Sequence, residues 1–416
     1  MTAVQLARRK VPSVLIDGSG RMNRGVAYST TEPVHLLNVP SGRMSAWPDR
    51  PCDFAEWLGD EGGSFAERRA FGRYLGQIAE EYGGQVERRC QAAVAARRDE
   101  AGWQVTLESG ESVAGSALVL ANGNQAPGPL RLAEALDGEL FVNNPWSEQA
   151  REVIARVSGE GGDVLILGTG LTMIDTVLSL DAVGHRGRIV ALSRRGLAPR
   201  AHAPHEPVNV RRDELPGLRL LPLWRWLRQR SDEVGFRAAV DSLRPHSRTI
   251  WQALPDGDRR RFLRHARPWW DVHRHRIAPE IGRQLAELAA DGRLEIVAGR
   301  VRRLHRHHQQ LLASIVMRHS GRTGERAFAA AFNCTGPLGD MERTRDPLLR
   351  QLMTGGKVQV DKLGMGLQVD DRSRAGEKVW AVGPLTKGCY WEIVAVPDIR
   401  GQAEAVAADI AEELGW

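Results

Sequence analysis

The chain of 416 residues is 42% hydrophobic and 26% charged, with 44 glycines and 21 prolines, a globular composition with room for two or three domains. No window approaches the roughly eighteen uninterrupted apolar residues of a membrane span, MTAVQLARRKVPS has no apolar signal core, and Cys52, Cys90, Cys334 and Cys389 form no CxxC, which removes support for a disulfide scaffold, a zinc ribbon or a redox dithiol. The net charge of +6 fits either nucleic acid or anionic cofactors, but there is no zinc-finger spacing, RNP motif or Lys-rich tail, so no nucleic-acid partner is expected, and the expected compartment is the reducing cytoplasm.

Ala3, Val4, Leu6 and Ala7 form one apolar side of a short helix, and SVLID (13–17) reads as a buried strand ending in an acid. A helix feeding a buried strand is the second half of a βαβ unit. Residues 85–120 alternate as a meander, and a strand at 117–121 then returns to Asn122-Gly123; 124–160 is a Pro/Gly-bearing connection with a polar helix. A second α/β start follows: GDVLILGTG (162–170) runs as a strand into glycines, Ile174, Val177 and Leu178 continue at helical spacing, and RIVALSRRG (188–196) is the next strand. Residues 200–275 read as an irregular helical insertion whose tryptophans are core. APEIGRQLAELAADGR (278–293) is a helix with Pro at its first turn, Ile281, Leu285 and Leu288 on one stripe, and Gly292 at its end. LEIVAG, LLASIVM and FAAAFNCTG are strand-like, VWAVGP (379–384) is a last buried strand, and Pro397 opens a terminal helix with Ile399, Ala403, Val406 and Ile410 inward.

The strongest motif is Gly168-Thr-Gly170-Leu171-Thr172-Met173, where a strand hands over to a helix. A dinucleotide fold uses the first glycine for a sharp turn and the second for close approach of backbone to a pyrophosphate held at the helix N-terminus. Met173 stands where the third glycine would be, so the fingerprint alone is weak. The next strand strengthens it. Where an NAD site places an acid that would repel a 2′-phosphate, this chain has Ser193-Arg194-Arg195-Gly196, and guanidinium forks match phosphate. The motif reads as an NADPH site. Three further strands end in small-residue turns, at Gly123, Gly336 and Gly383, and together with the GTGLT unit they suggest a two-dinucleotide α/β flavoprotein.

The sequence resembles the FAD/NAD(P)-binding proteins related to bacterial FAD-dependent urate hydroxylases and aspartate N-monooxygenases. The resemblance runs through RGVAYSTTEPVHLLNVPSGRMSAWPDRPCDFAEWL (24–58), RRAFGRYL (68–75), LVLANGN (118–124), VLILGTGLTMID (164–175), SRRGLAPRAH (193–202), RRRFLRHARPWWDVHRHRIAP (259–279) and NCTGP (333–337). It implies a Rossmann-like FAD domain split into 1–150 and 331–416, around an NADPH domain at 151–330 that carries the helical insertion. It also implies that Asp17 accepts from the FAD ribose, and that Gly25, Asn38, Val39, Pro40, Arg43, Met44 and Ser45 lie along the cofactor. One departure stands out. The family's FAD unit opens with a strand and a glycine turn about 20 residues before the ribose acid, and no glycine precedes Asp17. The expectation is that Met1 is an internal methionine of a longer reading frame, leaving weak FAD binding and an open sheet slot.

The implied activity is that of an FAD- and NADPH-dependent monooxygenase, hydroxylating a small polar nitrogen-containing metabolite through a flavin hydroperoxide. Alternatives are an NADPH-dependent flavin reductase or oxidase, and a non-catalytic nucleotide-binding or truncated product. No general base is legible: His265, His273 and His275 read first as structural partners of Asp271 or backbone. Arg264, Arg267, Arg274 and Arg276 are the candidates for gripping an anionic substrate or the NADPH phosphates. No metal set is complete.

Overall fold

The computed structural model describes residues 1–133, 136 and 138–416. A helix, Thr2–Arg8, leads into β1 (Ser13–Ile16), which pairs in parallel with β2 (Val86–Arg89). The meander follows as β3 (Ala93–Asp99), β4 (Gly102–Leu107) and β5 (Ser112–Gly115), all antiparallel. The returning strand β6 is Leu118–Leu120, shorter at both ends than expected. Then come β7 (Phe141–Val142), β8 (Val164–Leu167), β9 (Ile189–Ser193), β10 (Leu294–His307), β11 (Gln310–Met317), β12 (Thr323–Phe328), β13 (Ala330–Asn333), β14 (Arg374–Gly376) and β15 (Val379–Ala381).

Strands β7 to β13 build one seven-stranded sheet in the order β12-β11-β10-β9-β8-β13-β7. All four residues of β8 are buried, as befits a parallel strand covered on both faces. One face carries Met173, Ile174 and Val177 of helix Leu171–Ala182 and Ile281 and Leu288 of helix Pro279–Ala290. On the other face, Leu165 and Val190 meet Leu304, Leu311 and Phe328 from the curled outer strands. The curl starts at a bulge between Val301 and Arg303 of β10, which pairs in parallel with β9 before it and antiparallel with β11 through and beyond it. β12 had no sequence signal, because TGERAF is polar and its strand is largely exposed.

β6 pairs in parallel with β15, and β15 pairs antiparallel with β14. Among the described residues, β1 has no strand partner other than β2, and β6 none other than β15. Both strands thus keep one open edge. This corrects the reading of SVLID as buried, since Ser13–Ile16 are only half-buried throughout. Leu6 and Val11 still pack against Trp380 of β15 and Val406 and Ile410 of the terminal helix, Val396–Leu414. The insertion is helical as expected. Its Trp251, Phe262 and Trp270 enclose Trp391 from the C-terminal segment, whereas Trp269 is exposed. No helix among the described residues is long and apolar enough to cross a membrane.

Candidate nucleotide and substrate site

At the end of β8 the chain turns sharply. Gly168 has φ of +109°, its N–H donates to Leu192 O at 2.8 Å, and a Cβ there would lie 2.2 Å from Cys334 O. Only glycine lets β8 pass the end of β13 so closely. Gly170 does the opposite job: it caps helix Leu171–Ala182 without a side-chain bond, and a Cβ there would meet nothing within 4 Å. The first N–H groups of the helix, at Leu171 and Thr172, have no intrahelical partner, and a helix N-terminus stabilises an anion. Met173 is fully buried in the core below the turn.

The next turn is tied to the first. Thr169 Oγ1 donates to Ser193 Oγ at 2.9 Å, and Ser193 Oγ accepts from Gly196 N at 3.0 Å. Arg194 is exposed, and Arg195 Nη2 donates to His265 O at 3.3 Å. A third arginine, Arg318 on the β11–β12 turn, donates from Nη1 to Arg194 O at 2.9 Å. Burial, then the charges of Arg318 and Arg194, push the Arg195 guanidinium below its ordinary range. None of the three has an ion-pair partner among the described residues. Arg318 escaped the sequence reading because it lies 123 residues beyond Arg195, in a turn with no motif.

Gly336 follows β13 and so lies with Gly168, while Gly123 and Gly383 stand side by side at the ends of the paired β6 and β15. All three glycines adopt positive φ. Asp17 directly follows β1; its N–H donates to Arg89 O, and its Oδ1 accepts from Ser19 N at 2.8 Å. Gly25 is exposed at the start of a short helix.

The 38–45 loop divides in two. Met44 is buried against Leu37, Trp47 and Phe54, and the Ser45 hydroxyl is engaged with Trp47 backbone, so both side chains anchor the loop. Asn38, Val39 and Pro40 are half-buried and Arg43 is exposed. The loop bridges the two nucleotide units: His202 Nε2 donates to Asn38 O at 3.1 Å, Arg400 Nη1 donates to Ser45 O at 2.9 Å, and Asn38 and Leu171 line one small crevice. A buried ion pair beneath, Arg68 Nη1 to Asp175 Oδ2 at 2.8 Å, joins the same two units; Arg68 also donates to Leu36 O, and His35 Nε2 lies 3.1 Å from Asp175 O. Burial, outweighing the Asp175 charge, pushes the His35 imidazole below its ordinary range.

The insertion corrects the sequence reading of its arginines. Arg276 is bidentate to Asp241, at 2.9 Å to each oxygen; Arg274 pairs with Glu392 at 3.0 Å, and Arg267 with Asp271 at 3.1 Å. Arg264 is exposed. His273 Nδ1 donates to Trp269 O at 2.7 Å, His275 lies 3.9 Å from Asp271, and His265 is exposed. Cys334, beside the Gly168 turn, is buried with its thiol pushed up to about 12 by desolvation, and all four cysteines are free.

Residues 1–125 match the FAD-NAD(P)-binding family. No curated protein matches the sequence. Among solved structures, ornithine hydroxylase from Pseudomonas aeruginosa superposes with a TM-score of 0.64 at 15% identity, covering 99% of this chain and 97% of that one. L-lysine 6-monooxygenase from Pseudomonas syringae gives 0.63 at 17%, covering 96% and 99%. The FAD-bound cadaverine monooxygenase of Erwinia amylovora gives 0.66 at 12%, covering 97% and 94%. Thioredoxin reductase from Lactococcus lactis shares the architecture at 0.55 and 12%, covering 99% and 95%. The chain therefore has the fold of the two-dinucleotide-binding flavoprotein oxidoreductases, with an FAD-NAD(P)-binding sequence over its first 125 residues.

Proposed function

We propose that the chain is an FAD-dependent, NADPH-using monooxygenase that hydroxylates a nitrogen of a small polar metabolite, working in the cytoplasm. The observation that carries this is the pairing of an uncapped helix N-terminus at Gly170 with an acid-free arginine cluster at Arg194, Arg195 and Arg318, joined by the 38–45 loop to a second nucleotide unit. The residues present fit the NADPH phosphates and part of the path of FAD. Gly168, Gly170, Leu171 and Thr172 would hold the NADPH pyrophosphate on backbone N–H groups, with Ser193 fixing the turn. Arg194, Arg195 and Arg318 would take the 2′-phosphate. Asp17 would accept from the FAD ribose, with Gly123, Gly336 and Gly383 giving close backbone approach, and Gly25, Asn38, Val39, Pro40 and Arg43 would line the path of the cofactor, seated by Met44 and Ser45. Bound FAD would supply hydride acceptance from NADPH and oxygen activation.

The protein's own tasks are to hold the substrate nitrogen near the flavin and to keep water out. Thioredoxin reduction, the work named for the Lactococcus lactis neighbour, is the less favoured reading. The cysteine nearest the nucleotide turn, Cys334, is buried and held as an unreactive thiol, with Thr176 Oγ1 at 3.4 Å. The three hydroxylase and monooxygenase neighbours superpose at TM-scores of 0.63–0.66, against 0.55 for the thioredoxin reductase, which supports the monooxygenase reading over the reductase one. The test is NADPH oxidation by the FAD-supplemented protein in the presence of amine and amino-acid candidates, with separate assays for hydroxylamine and hydrogen peroxide. Hydroxylamine formed in step with NADPH supports the assignment. Peroxide alone with every candidate replaces it with a flavin reductase or oxidase.

A further inference from the structure

The helix that opens at the phosphate turn, Leu171–Ala182, is held from the flavin side by a side chain that can change its charge. His35 is buried, and Val34 and Leu36 on either side of it pack against the core that contains Ile174 and Leu178 of this helix. Its Nε2 lies 3.1 Å from Asp175 O and 2.9 Å from Ser179 Oγ, and its Nδ1 lies 2.9 Å from Thr30 Oγ1. Those partners fix the proton. A carbonyl only accepts, so Nε2 carries the hydrogen, and in the neutral ring Nδ1 accepts from the Thr30 hydroxyl. Thr30 Oγ1 already accepts from Glu32 N at 3.1 Å. A proton on Nδ1 would meet a donor, and the Thr30 hydroxyl would have to turn its hydrogen away. Charge acts in the same direction. The carboxylate that the helix brings to the ring, Asp175, is taken by Arg68 at 2.8 Å, from the helix Arg68–Glu81. Glu32, on the turn before His35, favours a charged ring but makes no ion pair among the described residues. Trp146 adds a neutral ring at 6.0 Å. Burial therefore holds the imidazole below its ordinary range against the pull of Asp175, and the Arg68 charge adds to burial.

We propose that His35 is a pH-sensitive strap: neutral, it ties the 30–38 turn to the helix Leu171–Ala182, and protonated, it lets that helix go. A charged ring would keep its bond to Asp175 O but would put a second cation beside Arg68, in a buried site with one carboxylate to share. A histidine held below its unfolded value near 6.5 gives its full stabilisation above that pH and loses it as the pH falls. The contact is thus complete near pH 7.5 and weakened at pH 5.5. The same helix begins at Gly170, so its release would reach the NADPH phosphates, a consequence that rests on the proposed function.

The test is hydrogen–deuterium exchange of the full chain between pH 7.5 and 5.5, corrected for the pH dependence of intrinsic exchange and read by mass spectrometry over residues 28–38 and 171–182. In the wild type, protection of both segments should fall by about tenfold at pH 5.5 relative to strand β8, the loss of an interaction that one shifted proton carries. His35→Gln keeps an N–H donor for Asp175 O and takes up no proton in this range, so its protection should be equal at the two ends. Thr30→Val removes the hydroxyl that opposes a proton on Nδ1, so release should begin at a pH higher by about half a unit to one unit. That variant still reports if His35→Gln fails to fold. Equal wild-type protection across the range, a loss in His35→Gln that matches the wild type, or an unmoved onset in Thr30→Val would each overturn the strap. Exchange needs neither cofactor nor turnover, so it decides the strap whether or not the monooxygenase assignment stands.

Discussion

Two alanine substitutions two residues apart should fail in different ways. At Gly168 a Cβ would sit 2.2 Å from Cys334 O and 2.6 Å from its carbonyl carbon, both backbone atoms of the adjoining strand end. The φ of +109° adds strain for any L side chain, worth about 1–3 kcal/mol by itself. Because β8 and β13 are hydrogen-bonded and fully buried, the contact is relieved only by moving strand against strand. Gly168→Ala should therefore cost at least about 3 kcal/mol, a large part of a typical 5–15 kcal/mol stability. At Gly170 the backbone has φ of −89°, open to any residue, and the added Cβ touches nothing. Gly170→Ala should leave stability within about 0.5 kcal/mol. It places a methyl group where the pyrophosphate would approach, so the KM for NADPH should rise about tenfold or more. Urea denaturation followed by tryptophan fluorescence measures the first effect, and steady-state NADPH oxidation the second. A Gly170→Ala protein with normal stability and an unchanged NADPH KM would refute the placement of the phosphates at this turn.

The other predictions concern charge. Arg318→Gln should lower the preference for NADPH over NADH by about tenfold, through loss of one charge-assisted contact, with NADH kinetics nearly unchanged; an equal effect on both nucleotides would deny it a role at the 2′-phosphate. Arg68→Ala strands Asp175 in a buried site, and thermal unfolding should report a loss of about 3–5 kcal/mol, as for other broken buried pairs; a loss below about 1 kcal/mol would show the pair to be dispensable. For Asp409, burial alone would raise the carboxyl, but hydrogen bonds from Arg374, Trp380 and Arg372 hold it at about 2. Its folded value lies below the unfolded one near 4, so its contribution is complete above about pH 4 and fades as pH falls toward 2. The stability gap between the wild type and Asp409→Asn should shrink across that window, and a constant gap would show that the charge is not what matters.

Much of the fold was legible because its central strands are buried on both faces. Val164–Leu167 and Ala330–Asn333 are continuous apolar runs that end in glycine, and the burial that makes them strands also makes them visible in the sequence. β12 lay below that threshold, since Thr323–Phe328 belongs to the exposed outer part of the sheet and needs no apolar face of its own. The SVLID run misled in the opposite direction. Its residues are apolar enough for a central strand, yet with only β2 beside it they are half-buried. The hydrophobic pattern records what a strand is suited to pack against, and the pairing found here leaves part of that capacity unused.

Local chemistry was legible at the turns and obscure wherever partners are distant in sequence. Gly168, Gly170 and the Arg194-Arg195 pair stand close to strand ends, so a short motif is enough to find them. The insertion was different. Arg264, Arg267, Arg274 and Arg276 looked equivalent as a run of positive charge, but each has a different fate. Asp241 takes Arg276 from 35 residues away, Glu392 meets Arg274 from across the chain, and Arg264 stays in solvent. Folding thus spends most of the apparent anion-binding capacity on internal pairs, as burial of guanidinium groups requires. What remains lies elsewhere, at Arg43 on the 38–45 loop and at Arg194, Arg195 and Arg318 beside the nucleotide turn. A charge count over a segment overstates its capacity for ligands by the number of carboxylates that the rest of the chain brings to it. Only the charge left over after that pairing is open to a ligand.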